Sequence, residues 1–122
     1  MQFYFLSNSD FEFSAQLVKI CDQELDQLIF VDNIESLEII KFNKSSLLII
    51  DCDDFCSELV NIIDKVNQKT IHICGVTKKI NKKLYKQAIL DGFDIFLTKS
   101  NFLFNVKTIK IQLLNSSKRI NN

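Results

Sequence analysis

The chain has no proline and only two glycines, Gly75 and Gly92, among its 122 residues. Two glycines cannot build the glycine-rich loop that cradles nucleotide phosphates. Without proline, the residue that makes cis peptide bonds tolerable is missing, an absence that matters at Ser100. Charge of one sign is lacking too: 15 basic and 15 acidic residues leave a net charge of zero. That removes any general electrostatic reason to bind nucleic acid or an anionic membrane. No apolar stretch approaches the ~20 residues needed to span a bilayer. The first residues, Met1-Gln2-Phe3-Tyr4-Phe5-Leu6, lack the basic start and the cleavage site of a secretory signal. They are expected to form a strand, and the protein is expected in the cytoplasm.

Cysteine and histidine are sparse. Cys21, Cys52, Cys56 and Cys74 are even in number, but they form no dense framework, and reduced thiols are expected. Cys52 and Cys56 are four apart, yet no second Cys or His pair completes a tetrahedral metal site. His72 alternates with Ile71 and Ile73 and reads as a strand side chain. What the chain does have is a composition 47% hydrophobic and 25% charged, with 11 phenylalanines. That suits one globular domain with a single core.

Apolar periodicity alternates between strand and helix. Ser9-Asp10-Phe11-Glu12 has the pattern of a capping box, with Phe13, Leu17, Ile20 and Cys21 following at helical spacing. Leu28 to Val31 is a short strand. Asp32-Asn33 then caps a helix that faces inward through Ile34, Leu37 and Ile40. Leu47-Leu48-Ile49-Ile50 is a strand buried on both faces, ending at Asp51. Asp53 or Asp54 is expected to cap a third helix whose apolar face is Cys56, Leu59, Val60, Ile63 and Val66. Thr70 to Val76 is the fourth strand. A helix over 81–90 follows, turning Leu84 and Ala88 inward and stopping at Gly92. Phe93 to Thr98 is the fifth strand. The last helix starts near Asn101, with Leu103, Val106, Ile109 and Leu113 in register. Residues 1–115 form the domain, and 116–122 form a polar tail or linker stub. Five strand–helix pairs with short loops predict a three-layer, doubly wound parallel α/β sheet of order 2-1-3-4-5.

In such a sheet a ligand crevice opens at the C-terminal strand ends. Asp51 lies at one of them, where a carboxylate serves as a phosphate acceptor or a metal ligand. Thr77 follows the fourth strand, and Lys99 follows the fifth within Ala88-Ile89-Leu90-Asp91-Gly92-Phe93-Asp94-Ile95-Phe96-Leu97-Thr98-Lys99. Over residues 1–115 this pattern resembles the receiver domain of two-component response regulators, the CheY-like branch of the flavodoxin-like folds. The resemblance implies that Asp51 is the phosphoacceptor and Lys99 the lysine that neutralises the phosphoryl oxygens. Thr77 is implied as the hydroxyl that contacts the phosphoryl group, with Cys74-Gly75 as a competing alignment. Phe96 is implied as the aromatic that moves with that hydroxyl.

The chain departs from the family pattern at three places. Where the family has two adjacent acids for Mg²⁺, this chain has Ser7-Asn8, followed by Ser9 and Asp10. A hydroxyl and an amide in place of two carboxylates imply a degenerate metal set, Ser7, Asn8, Asp51 and Asp53, with weak Mg²⁺ binding at most. Asp10 is expected to serve the helix cap, and Asp53 is a candidate substitute for a lost acid. Ser100 stands in place of the usual proline, so the Lys99–Ser100 bond is expected to be trans. Asp54-Phe55 replaces Met-Pro, which makes the adjoining loop different. Without its acidic neighbours, Asp51 can pair directly with Lys99 as a static ion pair.

These residues predict an atypical receiver-like signalling domain that is not an enzyme. It is expected to act through protein–protein interaction, with phosphorylation at Asp51 absent or inefficient and no cofactor beyond weak Mg²⁺. Protein partners, such as a histidine kinase or an output domain, are expected at the face of the fourth helix, fifth strand and fifth helix, which could also pair two copies. Its candidate residues are Lys82, Lys83, Tyr85, Lys86, Phe96, Phe102, Phe104 and Lys107, with at least one of Phe102 and Phe104 projecting outward. No direct nucleic-acid or membrane contact is expected. The alternative is a phosphorylatable receiver, including the regulatory domain of a DNA-binding response regulator. A flavodoxin-type cofactor module shares the topology, and it would need phosphate-binding hydroxyls and amides from Ser7-Asn8-Ser9.

Overall fold

The computed structural model describes residues 1–43, 45–66 and 71–120, with side chains described as far as residue 115. Five parallel strands lie in the order β2-β1-β3-β4-β5. They are β1 (Gln2–Leu6), β2 (Gln27–Val31), β3 (Ser46–Asp51), β4 (His72–Thr77) and β5 (Ile95–Thr98). Thr70, the expected start of the fourth strand, lies outside the described residues. β3 pairs on both sides, and all six of its residues are buried. Its unbroken aliphatic run makes it the centre of the sheet.

Alternating side chains feed two apolar layers. Phe3, Phe5, Leu47, Ile49, Cys74 and Val76 face one side, where helices α1 (Phe11–Gln23), α5 (Lys99–Phe104) and α6 (Val106–Ile120) contribute Phe13, Leu17, Phe102, Val106 and Ile109. Tyr4, Leu6, Leu48, Ile50 and Ile73 face the other side, under α2 (Ser36–Ile39), α3 (Leu59–Val66) and α4 (Lys82–Asp91). Each such side chain contributes on the order of 1.5–3 kcal/mol of burial energy.

Several local expectations change. The α1 cap is Asp10, whose Oδ1 accepts the Phe13 N–H at 2.9 Å; the Ser9–Glu12 capping box does not form. Asn33 Oδ1 accepts the Ser36 N–H at 2.9 Å, but the N-cap of α2 is Glu35, the helix lasts only one turn, and Ile40 at its end is already extended. Ile34 and Leu37 are still buried. The third helix starts at Leu59, and neither Asp53 nor Asp54 caps it, because both are drawn to other loops. Cys56 and Val60 are consequently exposed. On α4, Ala88 is buried but Leu84 is 38% exposed. Gly92 ends α4 at φ 119°, the left-handed conformation that glycine adopts at little cost. The last helix is split: Thr98 caps α5 through the Asn101 N–H, and α6 restarts after Asn105 and runs through Ile120, past the start of the expected polar tail.

Gly75 is required by space. A Cβ there would lie 2.6 Å from Phe96, 2.8 Å from Phe93 and 2.9 Å from the Cys52 sulfur. The four cysteines are unpaired. Burial pushes the thiol of Cys21 up to about 11 and that of Cys52 up to about 12, so neither is a reactive thiolate near neutral pH. Among the described residues, no helix is long and apolar enough to cross a membrane.

Candidate functional site

The C-terminal ends of β1, β3, β4 and β5 bring Ser7, Asp51, Thr77 and Lys99 into one cluster. Asp51, the last residue of β3, is fully buried. Its Oδ1 accepts the N–H groups of Asp53 at 3.0 Å and Asp54 at 3.3 Å, which tightens the turn that follows. Its Oδ2 accepts Lys99 Nζ at 3.0 Å and lies 3.2 Å from Ser7 Oγ, whose one hydroxyl proton it shares with Asp54. Both carboxylate oxygens are thus engaged.

Lys99 opens α5 and extends back over the strand ends. Its Nζ lies 2.8 Å from Asp10, 3.0 Å from Asp51 and 3.3 Å from Asp53, and 5.9 Å from the centre of the Phe13 ring. Burial alone would push the lysine pKa down. Hydrogen bonds to Asp10 and Asp51 outweigh burial, and the pKa is raised. The same bond, with that from the Phe13 amide, holds Asp10 below the usual carboxylate range. Asp10 therefore caps α1 with one oxygen and binds Lys99 with the other.

Asp53 joins the cluster to β4. Its Oδ1 accepts Thr77 Oγ1 at 2.6 Å, and its Oδ2 accepts the Lys78 N–H at 3.0 Å. Thr77 thus stands at the crevice. Gly75 lies two residues back in β4, opposite Phe96. Phe96 is buried and packs on Phe93 with ring centroids 5.6 Å apart. All described peptide bonds are trans, including Lys99–Ser100.

Asp54 turns the other way. Ser7 Oγ, the Asn8 N–H, the Ser9 N–H and Ser9 Oγ all donate to its carboxylate, at 3.1, 2.8, 3.1 and 2.5 Å. Burial pushes its pKa up, but these donors outweigh burial and hold the group below its ordinary value. The hydroxyls and amides that could hold a cofactor phosphate therefore hold a carboxylate of the chain itself. Among the described residues, no group of acids, histidines or cysteines is arranged to hold a metal ion. Of the expected metal set, Ser7, Asp51 and Asp53 come together, while Asn8 contributes its backbone N–H to Asp54. The carboxylates of Asp10, Asp51 and Asp53 converge on the Lys99 ammonium.

The sequence reading missed two partners: Asp10 as a ligand of Lys99, and Asp54 as the anchor of the β1–α1 loop. A signal for the second was present. The first loop loses its acids in Ser7-Asn8-Ser9, while the loop after β3 gains Asp54.

An open cavity of about 240 Å³ reaches Lys99 from the solvent side, with Asp10, Phe13 and Lys78 in its wall; Asp51 is not part of that wall. On the expected interaction face, Lys82, Lys83, Tyr85 and Lys86 are exposed. Phe102 is fully buried and belongs to the core, a correction with a simple cause: it points from α5 onto Phe13, at a ring distance of 6.2 Å. Phe104 is the one that projects, at 89% exposed. Lys107 lies 3.7 Å from Glu24, at the end of α1.

No protein-family model matches the chain, and no curated protein sequence matches it. Solved structures do. A response regulator from Burkholderia pseudomallei with a phosphorylated aspartic acid, calcium ion and citrate is 18% identical at a TM-score of 0.70, covering 98% of this chain and 70% of that one. A response regulator from Hahella chejuensis is 19% identical at 0.67, covering 97% and 93%. The pilus assembly protein CpaE from Caulobacter crescentus is 14% identical at 0.66, covering 88% and 98%. The chain has the CheY-like receiver fold, with the expected strand order.

Proposed function

We propose that this chain is an atypical receiver-like signalling domain that works through protein–protein contact, with its phosphoacceptor position closed by an internal ion-pair cluster. The observation that carries the reading is the Lys99 ammonium, bonded at once to Asp10, Asp51 and Asp53. Phosphoryl transfer to an aspartate needs a free carboxylate oxygen aimed at phosphorus and cations that neutralise the transferred group. Here both oxygens of Asp51 are hydrogen-bonded, its side chain is buried, and the nearest cation is engaged by three carboxylates. Thr77 is tied to Asp53, and Phe96 is already packed inside. A domain that gains no phosphoryl contacts has no ligand energy with which to shift a conformational equilibrium. It presents one constant surface.

That surface is the flank of α4 and α5, where Lys82, Tyr85, Lys86 and Phe104 are exposed. Its partners are proteins, whether a kinase, an output domain or a second copy. The domain performs no chemistry of its own and resides in the cytoplasm.

Treatment with acetyl phosphate, followed by intact-mass measurement, tests the reading. The expected result is a largely unmodified protein. A stoichiometric adduct of phosphate mass that disappears in Asp51→Asn would establish the alternative, a phosphorylatable two-component receiver.

A further inference from the structure

The Asp54 carboxylate does not contact Lys99, although the residue's N–H and the Ser7 hydroxyl link it to Asp51, and it is among the most fully hydrogen-bonded side chains at this end of the sheet. All its donors come from one three-residue stretch of another loop, Ser7-Asn8-Ser9. Two consecutive backbone N–H groups aimed at one point form a concavity that binds anions. Serine hydroxyls close it on both sides. The stretch carries no charged side chain. Its preference for an anion therefore comes from aimed dipoles, reinforced by the positive end of the 13-residue helix α1 just beyond it. The helix cap is a separate group, Asp10 on the Phe13 amide, so Asp54 is not needed to end α1.

We propose that Ser7-Asn8-Ser9 is an oxyanion-binding loop and that Asp54 is its tethered ligand. The carboxylate shuts the site to free phosphate and latches the β1–α1 loop to the β3–α3 loop. A tethered ligand acts at an effective concentration of about a millimolar or more, so a free anion well below that concentration competes poorly. The lowered pKa of Asp54 agrees with charge-assisted bonds. Drawing the β3–α3 loop away, by substitution or by a bound partner, would leave these donors without an acceptor. A small oxyanion would then take the place of the carboxylate. The site differs from a receiver's cation pocket in sign: it selects anions.

Inorganic phosphate titrated into the wild type and into Asp54→Ala, with the Asn8 and Ser9 amide resonances followed, tests this. The variant should show saturable shifts at both amides, and the wild type should respond at least about tenfold more weakly. An alanine variant whose Asn8 and Ser9 amides do not respond overturns the proposal. A wild type that binds phosphate as tightly as the variant overturns it as well. If Asp54→Ala does not fold, Asp54→Asn keeps the shape and removes the charge. The Asn8 amide proton, now donated at 2.8 Å to a carboxylate, should then move upfield and exchange faster with solvent. An unchanged position and exchange rate would also overturn the proposal.

Discussion

At the C-terminal end of the sheet, charge is compensated within the molecule. Lys99 meets Asp10, Asp51 and Asp53, and Asp54 meets four donors. Among the described residues, no buried side-chain polar atom lacks a partner. Along α4 and the loop before it the arrangement is the reverse. Lys79 in that loop and Lys82, Lys83 and Lys86 on the helix are exposed, and among the described residues none of them takes part in an ion pair. No acid stands in the first turn of α4, where an acid would favour the helix dipole. Groups satisfied internally hold a conformation, and groups left unsatisfied at the surface are free to meet something else. In a familiar receiver the strand ends change state and the flank reports the change. Under the proposed function the strand ends stay fixed, and recognition is left to the flank.

The largest expected effect comes from breaking the closed end. Lys99→Met would leave Asp51 buried without its cation, a loss of about 3–5 kcal/mol if the pair behaves as other buried pairs do. Urea unfolding measures it. Because Asp10, Asp51 and Asp53 would then face one another, millimolar Ca²⁺ should stabilise the variant more than the wild type. Equal responses would mean that Lys99 does not fill a cation's place.

A smaller effect is expected from acid. Asp10 and Asp54 have folded pKa values below their unfolded ones. Their contribution is therefore present above the unfolded value near 4 and is lost as pH falls through the folded values. Thermal unfolding followed from pH 6 downward should show a decline that steepens below about pH 4. Asp54→Asn should flatten that decline, and an identical profile in the variant would remove Asp54 from the account.

The smallest stability effects belong to the flank. Phe104→Ala and Lys86→Glu alter exposed side chains and should change stability by no more than about 0.5 kcal/mol. The same substitutions should abolish partner capture in a pull-down, while Asp51→Ala should keep it provided the variant remains folded. Capture lost with Asp51→Ala and retained in both flank variants would reverse the comparison between the two regions.

The strand order and the positions of Asp51, Thr77 and Lys99 were legible in the sequence. Long aliphatic runs and short loops leave few topologies, and strand ends follow from where the runs stop. The side-chain partners of loop residues were less legible. Asp10 suited a helix cap, and only tertiary contact reveals that its second oxygen meets Lys99, 89 residues away. Asp53 and Asp54 resembled caps for α3 because acids before an apolar periodicity usually are. In the folded chain Thr77, Lys78 and the β1–α1 loop offer those carboxylates other donors, and α3 starts late, at Leu59. Phe102 and Phe104 could not be told apart by periodicity, because a break at Asn105 resets the helical register.

The Lys99 contacts also have a bearing on the order of events as the chain folds. They join positions separated by 89 and 48 residues, and they require β1, β3 and β5 to be in place first. Contacts between such distant positions form only after loop closure has been achieved. The cluster should therefore be absent from the rate-limiting ensemble and complete only in the native state. Interactions of that kind act on the escape rate from the native basin and leave the rate of entry nearly unchanged. In stopped-flow chevrons, Lys99→Met should raise the unfolding arm while the refolding arm overlays that of the wild type. The lysine that closes the crevice would then govern how long the domain persists once folded.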